Sequence, residues 1–315
     1  MEIWYPAHSD LAVKHKPNRQ PIETSRTSCG DERVNYTNKV RSFWIEASDI
    51  EEGAPCSVFI FSHGWGSRSS AYSTFLSNLA SHGYIVIGVN HPFMGKVALS
   101  NGMITEPTDS HFPNQEYANR FYADDVLFVL DQLSKLNDED PDGRFTEAFD
   151  MDRIACGGHS SGFPAVSVAA VRDDRIKGLI SFDAGVPKIV RREGLNVPIL
   201  LFRADSNSYT DLFSRGEKIH PKGTIYDVDF FQVMRDDFYD LVISGTTHNS
   251  VSDDYLFEED IEKRKLSRRN HKIIGPYALA FLDKVLKGID SSMLDNTEAD
   301  SHTRLRVIKA PTRAH

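Results

Sequence analysis

Long apolar runs, a surplus of basic charge and paired cysteines are all missing from this 315-residue chain. No stretch approaches the roughly 18 uncharged apolar residues that a membrane-crossing helix needs. The opening Met1-Glu2-Ile3-Trp4-Tyr5-Pro6 has neither the basic n-region nor the apolar h-region of a signal peptide. The chain as given therefore reads as soluble and cytoplasmic, or as secreted or periplasmic if a leader has been removed upstream. Its 45 acidic residues outnumber 36 basic ones, for a formal net charge of -9. That balance argues against a nucleic-acid surface and against a polybasic membrane anchor. The three cysteines, Cys29, Cys56 and Cys156, are odd in number and lack metal-site spacing, so they read as thiols, with one disulfide as the lesser alternative. There is no HExxH, no paired CxxC and no G-x-G-x-x-G after the first strand. Neither a metal nor any other cofactor is implied. Nothing in the sequence fixes an oligomeric state.

What is present is alternation. From residue 57 onward, strand-like runs at Ser57 to Ser62, Tyr84 to Asn90, Arg153 to Gly158, Ile176 to Phe182, Val197 to Arg203 and Tyr239 to Ser244 are interleaved with helical patterns. Those patterns fall at Ala71 to Ser81, Tyr117 to Leu136, Ser161 to Val171 and Ile274 to Leu286. This order predicts a mostly parallel central sheet with helices on both faces. Two earlier strands, Glu2 to Tyr5 and Lys39 to Ala47, are expected to form an antiparallel N-terminal edge. One domain is expected over residues 1–288, followed by a polar, loosely ordered tail over 289–315. Between the strands ending at Phe182 and starting at Val197, the segment Ala184 to Asn196 barely covers a parallel crossover, which needs about a dozen residues. A large lid does not fit there. The walls of any pocket then fall to Pro92 to Gln115 and Ala204 to Asp237.

The chemistry is concentrated at Gly158-His159-Ser160-Ser161-Gly162, which follows an apolar strand and opens the helix-like run Phe163 to Val171. In a G-x-S-x-G elbow the glycines remove side chains where backbones crowd, and the serine hydroxyl stands exposed above the sheet edge. The following helix turns free N–H groups toward any oxyanion formed there. In the α/β-hydrolase fold that carries this elbow, the acid and then the histidine follow the serine. Two carboxylates sit at strand carboxyl ends, Asp183 after Ile180-Ser181-Phe182 and Asp205 after Leu200-Leu201-Phe202-Arg203, where sites collect in open α/β sheets. The commoner arrangement in this fold favours Asp205. His248, in the small-residue loop Gly245-Thr246-Thr247-His248-Asn249, is placed to be the base. Upstream, Val58-Phe59-Ile60-Phe61 runs into Ser62-His63-Gly64-Trp65-Gly66, where the fold supplies its second oxyanion donor. The expected donors are the N–H groups of Trp65 and Ser161, and His63 and His159 read as packed motif neighbours.

Several of these segments together resemble the platelet-activating factor acetylhydrolase and related bacterial serine esterase family. They are Phe61-Ser62-His63-Gly64-Trp65-Gly66, Leu79-Ala80-Ser81-His82-Gly83-Tyr84-Ile85-Val86, Val89-Asn90-His91, the opening Ile3-Trp4-Tyr5-Pro6-Ala7 and Phe128-Val129-Leu130-Asp131-Gln132-Leu133. The resemblance runs over about residues 2 to 287 and implies the α/β-hydrolase fold without a large lid domain. It implies Ser160 as nucleophile, His248 as base, Trp65 and Ser161 as oxyanion donors, and Asp183 rather than Asp205 as the acid. Phe163 stands where a second glycine is common in the family, and Trp65 is bulkier than the usual leucine, which bears on acyl-chain size.

The expectation is a serine carboxylic-ester hydrolase working through an acyl-enzyme on short-chain esters, its partner a small-molecule ester or lipid ester. His91, Phe163, Arg191 and Arg192 are candidates for a substrate rim. Two rivals remain: a lipase or cutinase-like polyester hydrolase with the same triad, and a noncatalytic binding protein on the hydrolase fold.

Overall fold

The computed structural model describes residues 1–6, 50, 53, 55–99, 102–205, 234–295 and 302–309. The expected strand Lys39 to Ala47, most of the segment Ala204 to Asp237, and Cys29 lie outside these residues.

Among the described residues eight strands form one sheet: β1 (Glu2–Trp4), β2 (Cys56–Ser62), β3 (Ile85–Val89), β6 (Phe149–His159), β7 (Ile176–Phe182), β8 (Ile199–Ala204), β9 (Phe238–Ile243) and β10 (Thr303–Ile308). Their order across the sheet is β1-β3-β2-β6-β7-β8-β9-β10. The six strands between the edges pair in parallel. β1 and β10 run antiparallel along the two edges. A two-stranded hairpin, β4 (Val97–Ala98) with β5 (Ile104–Thr105), stands apart after β3. The strands read as continuous apolar runs because both sheet faces are covered. Alternate side chains go to opposite layers. Val58, Ile60, Leu179, Ile199 and Leu201 join one core cluster, while Phe59, Phe61, Ile180, Leu200 and Phe202 join the other.

The first layer is closed by α2 (Gln115–Asp138), α3 (Gly162–Arg172) and α4 (Lys188–Glu193). Val126, Val129, Leu130 and Leu133 of α2 meet Val166, Val168 and Ala169 of α3 there. The second layer is closed by α1 (Ser73–Ala80) and α5 (Ile261–Lys287). Phe75, Leu76 and Leu79 of α1 pack with Ile274, Ala278, Phe281 and Leu282 of α5. Fully burying such a side chain is worth about 1.5–3 kcal/mol, so these two short stripes suffice to seat both helices. Among the described residues no helix is long and apolar enough to cross a membrane.

Two elements differ from the sequence expectation. α5 starts 13 residues before Ile274, with the Asp260 side chain accepting from the Glu262 and Lys263 N–H groups. Its first half is polar and carries no apolar periodicity, yet it is anchored by tertiary contacts: Leu266 packs over the Gly245 turn and His271 Nε2 bonds the Ser252 carbonyl. The tail, expected to be loose over 289–315, instead supplies a 3-10 turn at Ser292–Leu294 and the edge strand β10. Every residue of β10 pairs with β9. Leu305 is buried against the second layer, and Arg306 Nη2 reaches Asp240 Oδ2 at 2.9 Å. The other oxygen of buried Asp240 accepts from Arg203 Nε and Nη2 at 3.2 and 3.0 Å. This bidentate pairing offsets the desolvation of both charges and ties β8, β9 and β10 together beneath the histidine loop.

Between β7 and β8 there is room only for the six residues of α4, as the short crossover required. The Pro92 to Gln115 segment lies against the turn after β2: Gly66 N–H donates to the Met94 carbonyl at 2.8 Å, and a Cβ on Gly95 would stand 2.2 Å from the Ser67 carbonyl.

Candidate active site

The carboxyl ends of β2, β6, β7 and β9 carry the residues singled out in the sequence. At the end of β6 the chain turns sharply into α3. Ser160, at the turn, has φ of 50°, in the left-handed region that ordinary residues avoid. The two glycines of the motif are required by close approach. A Cβ on Gly158 would lie 2.5 Å from the Gly162 carbonyl carbon and the Phe163 nitrogen. One on Gly162 would lie 2.2 Å from the Ser62 carbonyl oxygen and 2.5 Å from that of His63. The Ser160 N–H donates to Phe182 O of β7 at 3.1 Å, so the strained turn is held by the neighbouring strand.

Asp183 ends β7 and also has φ of 50°, a conformation aspartate tolerates better than most residues. Its N–H donates to Phe202 O at 2.7 Å, and Ala204 N–H donates to its Oδ1 at 2.9 Å. That leaves Oδ2 for His248 Nδ1, at 2.7 Å. The Asp183 side chain is 5% exposed and that of His248 42%. A shielded carboxylate thus holds one ring nitrogen while the ring opens to solvent. Asp205 does different work. Its Oδ2 accepts from Gly245 N–H at 2.9 Å and its own N–H donates to Thr246 Oγ1 at 3.0 Å, which fixes the turn that Gly245 makes with φ of 76°.

Among the described residues no hydrogen bond joins Ser160 Oγ to His248, although the backbones are drawn together by His159, whose Nε2 lies 2.7 Å from the His248 carbonyl. The N–H groups of Trp65 and Ser161, on the residues that follow Gly64 and Ser160, have no acceptor among the described residues. A developing oxyanion requires such N–H dipoles free to receive it. Gly64 brings the first of them in: a Cβ there would come within 3.3 Å of the Ser160 Cβ and 2.8 Å of His159 Nδ1. Trp65 itself is 42% exposed.

Burial corrects two members of the expected rim. His91 is fully buried, with Nδ1 on Asp125 Oδ2 at 2.8 Å and Nε2 on Ser62 Oγ at 2.7 Å. It braces the β2 turn against α2. Phe163 is likewise fully buried, in the core cluster of the first layer. Arg191 and Arg192 are exposed in the last turn of α4. Arg191 Nε turns back to donate to the Val186 carbonyl at 3.3 Å, while the next residues, Glu193 and Gly194, share a hollow with Ile176 and Pro198 at the strand starts. Arg192 pairs with Glu193.

Burial shapes the titrating groups around the site. Desolvation lowers His63 to about 3, aided by His91. It lowers His159 to about 4, aided by His248, and His271 to about 4. Five residues past His248, burial pushes Asp253 up to about 7, while its Oδ2 accepts from Thr74 N–H at 3.0 Å at the otherwise uncapped start of α1.

The signs oppose each other. An unfolded histidine ionises near 6.5, so the stability contributed by the three neutral rings is present above 6.5 and lost as pH falls toward 3 to 4. Asp253, with a raised value, contributes stability at low pH that is lost as pH rises through about 7. Three rings outweigh one carboxyl, so Tm is expected to fall as pH drops from 6.5 to 4.5. Asp253→Asn should steepen that fall. Thermal unfolding across this range checks both, and a Tm independent of pH would refute the neutral buried rings.

Comparison with known proteins agrees with this architecture. The family model of platelet-activating factor acetylhydrolase, isoform II, matches residues 31–126. A probable 1-alkyl-2-acetylglycerophosphocholine esterase from Arthroderma benhamiae is 28% identical over 199 residues, covering 58% of this chain and 47% of that protein. The platelet-activating factor acetylhydrolase of Canis lupus familiaris is 25% identical over 232 residues, 65% of this chain and 50% of its own length. The chain spans about half the length of the curated relatives it matches. In three dimensions it is similar to a ferulic acid esterase from Streptomyces cinnamoneus, with a TM-score of 0.71 and 22% identity over 98% of this chain and 88% of that one. The fold is that of the α/β-hydrolases, and the matches support the resemblance to the acetylhydrolase-like esterases.

Proposed function

We propose that the protein is a serine carboxylic-ester hydrolase acting through an acyl-enzyme on short-chain acyl esters. The observation that carries this reading is the Asp183 to His248 hydrogen bond of 2.7 Å, formed at the same sheet edge as the strained Ser160 elbow. In the proposed reaction, His248 Nε2 takes the Ser160 proton as Oγ attacks the ester carbonyl. Asp183 fixes the Nδ1–H tautomer and stabilises the imidazolium. The Trp65 and Ser161 N–H groups receive the oxyanion. His248 then protonates the leaving alcohol, and water, deprotonated by the same ring, releases the acid and restores Ser160. The names of the relatives, an alkyl-acetylglycerophosphocholine esterase and an acetylhydrolase, support an acetyl-sized acyl group.

Acyl size follows from the bulky Trp65 beside the serine and from the short crossover that builds no large lid. A p-nitrophenyl ester series from acetyl to dodecanoyl is expected to favour acetyl to butyryl. Trp65→Leu keeps the backbone donor and should shift discrimination toward longer chains by about 1–3 kcal/mol. A wild-type enzyme that prefers dodecanoyl over butyryl would replace this reading with that of a lipase or polyester hydrolase.

A further inference from the structure

His159 and Tyr72 do more than fill space behind the elbow. Tyr72 is 1% exposed and closes the 3-10 turn Ser69–Tyr72 just before α1, with its ring tilted on Phe61 at 4.7 Å. Its hydroxyl lies 2.8 Å from His159 Nδ1 and accepts from the Gly64 N–H at 3.3 Å. The other ring nitrogen, His159 Nε2, is 2.7 Å from the carbonyl oxygen of His248, and the two imidazole centroids are 4.7 Å apart.

The proton positions follow from the partners. A carbonyl oxygen only accepts, so Nε2 carries hydrogen. Burial holds the ring neutral, so Nδ1 is a lone pair and the Tyr72 hydroxyl donates to it. The hydroxyl oxygen is then left to receive the Gly64 N–H. The Ser67 side chain also lies within reach of this hydroxyl, and His159 cannot turn its ring without breaking its bonds to both Tyr72 and His248.

The chain of bonds begins one residue before Trp65, passes one residue before Ser160, and ends on the backbone of His248. The histidine loop must reach the elbow across β7 and β8, and the His159 bond closes that distance directly. We propose that Tyr72 and His159 are positioning residues, a hydrogen-bonded strut that sets the spacing between the oxyanion donor loop, the nucleophile elbow and the base. The inference rests on the triad reading above. Its physical content is that a shift of about 1 Å in a catalytic constellation costs on the order of a hundredfold in rate.

The test compares Tyr72→Phe, His159→Phe and His159→Gln with wild type and Ser160→Ala, using p-nitrophenyl acetate, with thermal unfolding run alongside. Tyr72→Phe removes a single oxygen and keeps the ring packing. Tyr72→Phe and His159→Phe are each expected to lower kcat by about ten- to a hundredfold with KM within about twofold. His159→Gln, whose amide offers a donor to His248 and an acceptor to Tyr72, should recover most of that loss. Wild-type kcat in Tyr72→Phe and His159→Phe, with Ser160→Ala inactive, would overturn the strut and leave the triad standing. So would a loss of Tm in these variants with kcat per folded molecule unchanged. Activity surviving in Ser160→Ala would instead overturn the triad reading itself.

Discussion

Ser160→Ala and His248→Ala are each expected to lose esterase activity by about a thousandfold or more, while unfolding at nearly the wild-type temperature. The magnitude follows because triad members act as a unit: once the nucleophile or its base is gone, only the oxyanion donors and binding remain to accelerate the reaction. The preserved stability follows from the surroundings. Ser160 is held by its backbone, through Phe182 O and Phe163 N–H, and its hydroxyl makes no hydrogen bond among the described residues. His248 presents a half-exposed ring, so truncation opens no core cavity of the kind that costs several kcal/mol. Steady-state kinetics on a butyryl ester, paired with thermal unfolding, checks both halves. Retention of more than about a tenth of wild-type kcat in either variant contradicts the mechanism.

How far the sequence spoke depends on where the signal lay. The central strands were legible because Val58 to Phe61 or Ile199 to Phe202 are apolar on both faces, and only a sheet covered twice demands that. The polar start of α5 was not, since Ile261 to Ile273 gains its order from Leu266 over the Gly245 turn and from His271 on Ser252, contacts between segments far apart in sequence. β10 escaped notice for a related reason: in Thr303-Arg304-Leu305-Arg306 the alternation is short, and its register is set by Asp240 on the facing strand.

In the site, the elbow and the histidine loop announced themselves through glycine at positions where backbones touch or turn. His91 and Phe163 misled because a histidine or aromatic ring beside a motif looks alike in sequence whether it faces substrate or core. Only tertiary packing, here Ser62 and Asp125 closing on His91, distinguishes the two. The strut had no sequence signal at all. Tyr72 lies 87 residues from His159 and belongs to no motif.

The acid was the one member left open between two residues, and the two carboxylates make separable demands. Asp183→Asn is expected to cut kcat by up to about ten-thousandfold with little change in KM. The amide cannot both accept from Ala204 N–H and accept from His248 Nδ1–H without presenting NH2 to one of them, so the ring is driven toward the wrong tautomer. Asp205→Asn touches only the turn. Its amide oxygen can still accept from Gly245 N–H, the geometry around Thr246 is retained, and kcat should remain within a few-fold of wild type. The Asp205 variant should instead report in stability, because one charge-assisted bond to a backbone N–H is weakened, an effect of about 1 kcal/mol. Measuring kcat and Tm for both variants therefore separates the roles along two axes. If Asp205→Asn proves the more damaging to kcat, the acid is Asp205, and the Asp183 to His248 contact has to be read as structural.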